Sequence, residues 1–176
     1  LGLAIVWNTM QDHKGTVTVK SSSEGTAFSL YFPVITHALP TDDTDIDLNT
    51  IKGNNQTILI VDDNPQQLDI AEQILKTLNY TVFTASSGEK AITFLQTNQV
   101  DLLILDMIMD PGINGNETYI KAKEIFPDQK ALIASGYSVS NEMEKSKELG
   151  IEIFIRKPYS IAQLGNAVKT VLENTF

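Results

Sequence analysis

The feature that most constrains this chain is a set of short apolar runs, each followed by a segment of a different period. Residues 57–61 (Thr-Ile-Leu-Ile-Val) form a buried-strand pattern that stops at Asp62-Asp63. From Gln66 to Leu78 the apolar residues Leu68, Ile70, Ala71, Ile74, Leu75 and Leu78 fall at helical spacing. The alternation then repeats. Strand patterns are read at 80–84, 101–105, 130–134 and 151–155. Helical patterns are read at 87–96, 115–125, 141–149 and from Ser160 to Leu172. Ser87 is a good N-cap, Phe126-Pro127 stops one helix, and Gly150 suits the position just past another. Strands that alternate with helices cannot pair as hairpins, so the sheet is parallel with helices on both faces. Right-handed crossovers leave few ways to order the strands.

In such a sheet, function gathers at the carboxyl ends of the strands. The first strand ends in Asp62-Asp63, the third in Asp106, the fourth in Ser135-Gly136, and the fifth in Arg156-Lys157-Pro158. Carboxylates converging on one edge repel unless a cation lies between them. A few hard oxygen ligands with room left for water and phosphate suit Mg²⁺. A lysine opposite them supplies a point charge for a phosphoryl oxygen, and a serine hydroxyl can bond another. This set of groups fits phosphoryl transfer, where positioning and electrostatics dominate.

Composition sets limits. Of 176 residues 42% are hydrophobic and 20% charged, which sustains a core and argues against global disorder. No apolar run approaches the ~20 residues of a membrane-spanning helix. There is no cysteine, so disulfides and thiolate metal sites are excluded. The net charge of −9 disfavours nucleic acid as a partner. Residues 1–35 are apolar and punctuated by glycine, and residues 36–56 read as an acidic, Thr- and Asn-rich linker. The alternating acids from Asp42 to Asp47 lack the glycine and closing glutamate of a calcium loop and are expected to be solvated. His13 and His37 carry no expected metal or phosphoryl role, and Trp7 is expected to pack within the amino-terminal segment. The chain opens on Leu1 without a basic stretch or cleavage site, so it is expected to begin inside a longer protein.

At the strand ends the chain resembles a response-regulator receiver domain of two-component signalling. The matching pieces run in order: Ile-Leu-Ile-Val before Asp62-Asp63, Leu-Leu-Ile-Leu before Asp106, Ile-Ala before Ser135, and Phe154-Ile-Arg before Lys157-Pro158. The resemblance covers residues 57–176. It implies a flavodoxin-like, doubly wound (βα)5 fold with a five-stranded parallel sheet of order 2-1-3-4-5. It also implies that Asp106 accepts a phosphoryl group from phosphohistidine, so the chain catalyses its own modification. Asp63 and Asp106 would bind Mg²⁺ directly, Asp62 mainly through water, and the Ile108 backbone carbonyl would complete the protein ligands. Lys157 would contact the phosphoryl group, while Ser135 and Phe154 would move as the switch. The Lys157-Pro158 bond is often cis in the family.

Three departures matter. Pro111 stands five residues after Asp106 where four is commoner, so the loop there carries an extra residue. Phe154 has no hydroxyl where tyrosine is common. Ile108 and Tyr137 are bulky beside the acceptor, which is expected to hinder water and lengthen the life of an aspartyl phosphate.

Residues 1–35 resemble the end of a histidine-kinase ATP-binding domain: its last glycine-box helix and closing β-hairpin. The earlier ATP-binding boxes and the phosphoaccepting histidine segment are missing, so neither kinase activity nor ATP binding at Gly2 is expected. The resemblance implies a hybrid histidine kinase as parent, itself membrane-anchored or not, with this part cytoplasmic and making no membrane contact. Partners implied are a kinase phosphohistidine domain or a His-phosphotransfer protein. A homodimer through residues 1–35 is a further expectation. A flavin module is disfavoured because Asp62-Asp63 would repel the cofactor's phosphate. An aspartate-nucleophile phosphatase would carry an acid where Ile108 stands. The remaining alternative is a degenerate receiver that only binds protein.

Overall fold

The computed structural model describes residues 2–23, 25–34, 47–136 and 140–173. Tyr137, His37, Asp42, Asp43 and Asp45 lie outside the described residues. The chain forms two compact units, residues 1–44 and 45–176.

In the first unit, helix α1 (Gly2–Asp12) leads into an antiparallel hairpin of β1 (Thr16–Ser22) and β2 (Gly25–Tyr31). The register pairs Thr16 with Tyr31 and Ser22 with Gly25. Met10 is buried and its carbonyl accepts the Gly15 N–H at 2.7 Å, which turns the helix end into β1. Phe28, Leu30 and Tyr31 are exposed. Trp7, expected to be packed, is exposed too.

The second unit is the alternating α/β region. Its elements are β3 (Thr57–Val61), α2 (Pro65–Thr77), β4 (Thr81–Ala85), α3 (Gly88–Leu95) and β5 (Leu102–Leu105). There follow α4 (Gly115–Ile125), β6 (Ala131–Ser135), α5 (Ser140–Glu148), β7 (Phe154–Arg156) and α6 (Ile161–Glu173). The five strands lie in the order β4-β3-β5-β6-β7 and every pair is parallel. Counted within this unit the order is 2-1-3-4-5, as the resemblance implied. β3 and β5 are covered on both faces, which is why they read as continuous apolar runs. Alternate residues feed two cores. Ile58, Ile60, Leu102 and Ile104 face one way, toward α2 and α6 residues such as Leu75 and Leu164. Leu59, Val61, Leu103 and Leu105 face the other, toward α3 and α4 residues such as Leu95 and Tyr119.

Two local differences from the sequence reading have physical causes. The last strand starts at Phe154 rather than at 151. Ile151 is instead used to end α5: its N–H donates to the Ser146 carbonyl and Gly150 N–H to that of Lys147. This two-bond closure satisfies the last carbonyls of a helix, with Gly150 where the sequence put it. Residues 48–56, within the expected linker, lie inside the second unit. A single 3-10 turn (Leu48–Ile51) buries Ile51 in the core beside Leu164, and Gly53 N–H donates to the Leu78 carbonyl. Among the described residues no helix is long and apolar enough to cross a membrane.

Candidate functional site

The parallel register places the ends of β3 and β5 side by side, with Val61 opposite Leu105. Asp62 and Asp106 are the next residues on each, so one backbone fact brings both carboxylates together. The Asp62 N–H donates to Ala85 and that of Asp106 to Val61, which fixes both main chains. The β6–β7 pairing continues to Arg156 opposite Ser135, and Lys157 N–H donates to the Ser135 carbonyl at 2.9 Å. That bond delivers Lys157 to the same edge. The Lys157-Pro158 peptide is cis, as is Asp110-Pro111.

Asp62, Asp63 and Asp106 each bring a carboxylate oxygen within 4.8 Å of the others. The Lys157 ammonium pairs with Asp62 and lies 3.3 Å from an Asp106 oxygen. The Asp62 and Asp106 side chains are only 5% and 14% exposed. Burial pushes the Asp106 carboxyl above its ordinary value; Lys157 opposes this and Asp62 reinforces it. Two acids this dry, with one lysine between them, leave an excess of negative charge that a divalent cation would neutralise. The oxygen-only donor set, with Asp63 open to solvent, fits Mg²⁺ and its retained waters.

Backbone donors hold the acids in place. Asn64 N–H donates to Asp62, Met107 N–H to Asp106, and Asp110 N–H reaches Asp63 at 3.4 Å. Asn64 also caps α2, with Pro65 opening the helix, so the Asp-Asp turn is anchored directly to a helix end. On the other side Gly115 opens α4 against the Asp106 main chain. A side chain there would meet the Asp106 carbonyl at 2.4 Å, so only glycine fits.

The structure therefore brings together Asp62, Asp63, Asp106 and Lys157. Ser135 sits half-buried at the end of β6, and its backbone carries Lys157. Phe154 is half-buried and packs against the core cluster that includes Tyr119 and Ala122 of α4. Ile108 is 52% exposed on the loop after Asp106.

Four residues escaped sequence reasoning. Tyr159 lies close enough to the acids that burial, then Asp62 and Asp106, push its phenol up to about 12. Asn114 and Glu117 form a reciprocal capping box at α4, a signal that the Asn-x-x-Glu spacing does carry. Glu89, in the first turn of α3, accepts the Ile113 N–H across 24 residues of sequence, which no local pattern announces.

Comparison with known proteins agrees with this geometry. The family model for the response regulator receiver domain matches residues 58–169. The autoinducer 1 sensor kinase/phosphatase LuxN of Vibrio campbellii is 31% identical over 194 residues, which is 99% of this chain and 22% of that protein. This chain thus spans about a fifth of that relative. Sporulation initiation phosphotransferase F of Bacillus subtilis is 31% identical over 118 residues, 67% of this chain and 94% of that protein. The solved response regulator TrrA of Thermotoga maritima, in complex with Mg²⁺ and BeF, is 29% identical with a TM-score of 0.60. The match covers 66% of this chain and 99% of that one.

Proposed function

The chain belongs to the response-regulator receiver family, and from that membership we propose that Asp106 is its phosphoryl acceptor. Receiver domains of two-component systems typically accept a phosphoryl group on aspartate and bind Mg²⁺ in an acidic pocket of this kind. The observation that carries the assignment is the buried Asp106 carboxylate, 3.3 Å from the Lys157 ammonium and beside two further acids.

In the proposed reaction an Asp106 oxygen forms a bond to phosphorus as the bond from phosphorus to a donor histidine nitrogen breaks. Bound Mg²⁺ would neutralise charge between the carboxylates and the phosphoryl oxygens. Asp63, Asp106 and the Ile108 carbonyl would hold it, with Asp62 acting mainly through water. Lys157, paired with Asp62, already lies 3.3 Å from an Asp106 oxygen and would meet a phosphoryl oxygen there, where charge held in place is most effective. Ser135 would bond another oxygen, and Phe154 would relay the change. Two conformations whose balance shifts with phosphorylation constitute the output. Ile108 would shield the acyl phosphate from water. Hydrolysis in Ile108→Asn is expected to be faster than in wild type, measured as loss of the mass adduct with time.

The wider setting is also a proposal. Residues 1–35 would close a kinase ATP-binding domain, residues 36–56 would link it, and residues 57–176 would be the receiver of a hybrid histidine kinase. LuxN, a sensor kinase/phosphatase, aligns across both units. The phosphodonor or acceptor would be a kinase phosphohistidine domain or a His-phosphotransfer protein on the cytoplasmic side. The exposed apolar residues of β2 are compatible with pairing of two copies, which light scattering would read as a dimer.

The test is intact mass after incubation with Mg²⁺ and acetyl phosphate. One phosphoryl adduct is expected, lost with EDTA and in Asp106→Asn. No adduct under saturating Mg²⁺ would favour a protein-binding module without phosphoryl chemistry.

A further inference from the structure

The loop after Asp106 carries one residue more than the commoner spacing, and it contains the carbonyl proposed as a metal ligand. Added length loosens a loop unless something takes up the slack. Here the loop is held near its start by Met107 N–H on Asp106, at its middle by Asp110 N–H on Asp63, and at its end by Ile113 N–H on Glu89 at 2.9 Å.

The Glu89 contact is built rather than incidental. Glu89 is in the first turn of α3, just after the Ser87 cap, where a negative charge is favoured. Gly88 beside it lies against the loop end: a side chain there would meet Thr118 at 2.2 Å and Ile113 at 2.5 Å. Gly112, at φ +143°, seats its Cα against the carboxylate; a Cβ would come within 3.0 Å of both Glu89 oxygens. The Ile113 amide, foremost among its hydrogen bonds, holds the Glu89 carboxyl below its ordinary value. So the α3 terminus and the loop end fit each other at three consecutive contacts.

We propose that Glu89 is a positioning residue for phosphoryl transfer: by accepting the Ile113 N–H and seating Gly112, it holds the 107–114 loop so that the Ile108 carbonyl faces the metal site. This rests on the receiver reading above. Groups that orient a metal ligand typically change affinity by about 10–100-fold when removed.

The experiment measures Mg²⁺ affinity by calorimetry without any phosphodonor, then the Mg²⁺ dependence of adduct formation from acetyl phosphate. Glu89→Ala is expected to weaken Mg²⁺ by about 10-fold. It should raise the half-saturating Mg²⁺ for phosphorylation by the same factor, with the rate at saturating Mg²⁺ nearly restored. Glu89→Gln keeps an accepting oxygen and should match wild type. Gly112→Ala, with Glu89 intact, should reproduce the Glu89→Ala defect, and it serves if Glu89→Ala fails to fold. Wild-type Mg²⁺ affinity in Glu89→Ala, or a Gln variant as impaired as the Ala one, would overturn the role of Glu89 alone. A wild type that neither binds Mg²⁺ nor takes the adduct would overturn the receiver chemistry together with it.

Discussion

The two edges of the parallel sheet are built from the same strands and yet differ in kind. At the carboxyl edge, charged groups are buried with too little compensation: Asp62 and Asp106 share one lysine, and Asp106 is held toward its neutral form. At the amino edge, side chains are tied to backbone. Gln129 is buried and donates to the Val100 and Lys130 carbonyls, while its own backbone carbonyl accepts the Tyr119 hydroxyl. Lys130 reaches across to the Leu172 carbonyl at 2.9 Å, beside a cleft of about 310 Å³. The Gln129 side-chain oxygen, Oε1, is the one buried side-chain N or O atom among the described residues without a hydrogen-bond partner. The lesson is that the two edges leave different groups short of partners: carboxylates short of countercharge at one, a single amide oxygen at the other.

Substitutions at each edge should separate the two roles. The largest effect is expected from Lys157→Met. Removing one member of a buried pair costs about 3 kcal/mol, read from urea unfolding. Losing a preorganised charge at the phosphoryl group should slow adduct formation by about 100-fold. A variant that loses neither would erase the distinction between the edges. Next comes Gln129→Ala at the opposite edge. It strips donors from two backbone carbonyls and should cost about 2 kcal/mol, with the phosphorylation rate at saturating Mg²⁺ unchanged.

The smallest effect concerns pH. A carboxyl whose folded value is raised contributes stability below its unfolded value and loses it as pH rises through the folded one. Asp106 is in that position. Without Mg²⁺, Asp106→Asn should therefore melt a few degrees above wild type at pH 7, with the gap closing as pH falls below the ordinary carboxylate range. Added Mg²⁺ should narrow the gap at pH 7 by stabilising wild type. A gap that widens on acidification would contradict the burial argument.

Much of the site was legible in sequence because strand ends are legible. An apolar run that stops at charged residues marks both the strand and the edge, and Asp62, Asp106 and Lys157 are read that way. The parallel register then brings their backbones together without long-range information. What stayed hidden depends on contacts between distant segments. Nothing local to Glu89 indicates that it meets Ile113, and nothing near Leu48–Ile51 shows that this turn belongs to the core. The start of the last strand was misplaced because Ile151 looks like strand yet closes a helix, and apolar character alone does not separate the two uses.

The sequence by itself determined the alternation of elements, the edge that carries the chemistry and the residue types available there. Periodicity, turn chemistry and strand-end composition are local properties of the chain. Only the tertiary structure decided how dry Asp106 is, which acids Lys157 reaches, and what fastens the loop after Asp106. Desolvation and hydrogen bonding depend on what packs against a group, and that is supplied by residues far away in sequence.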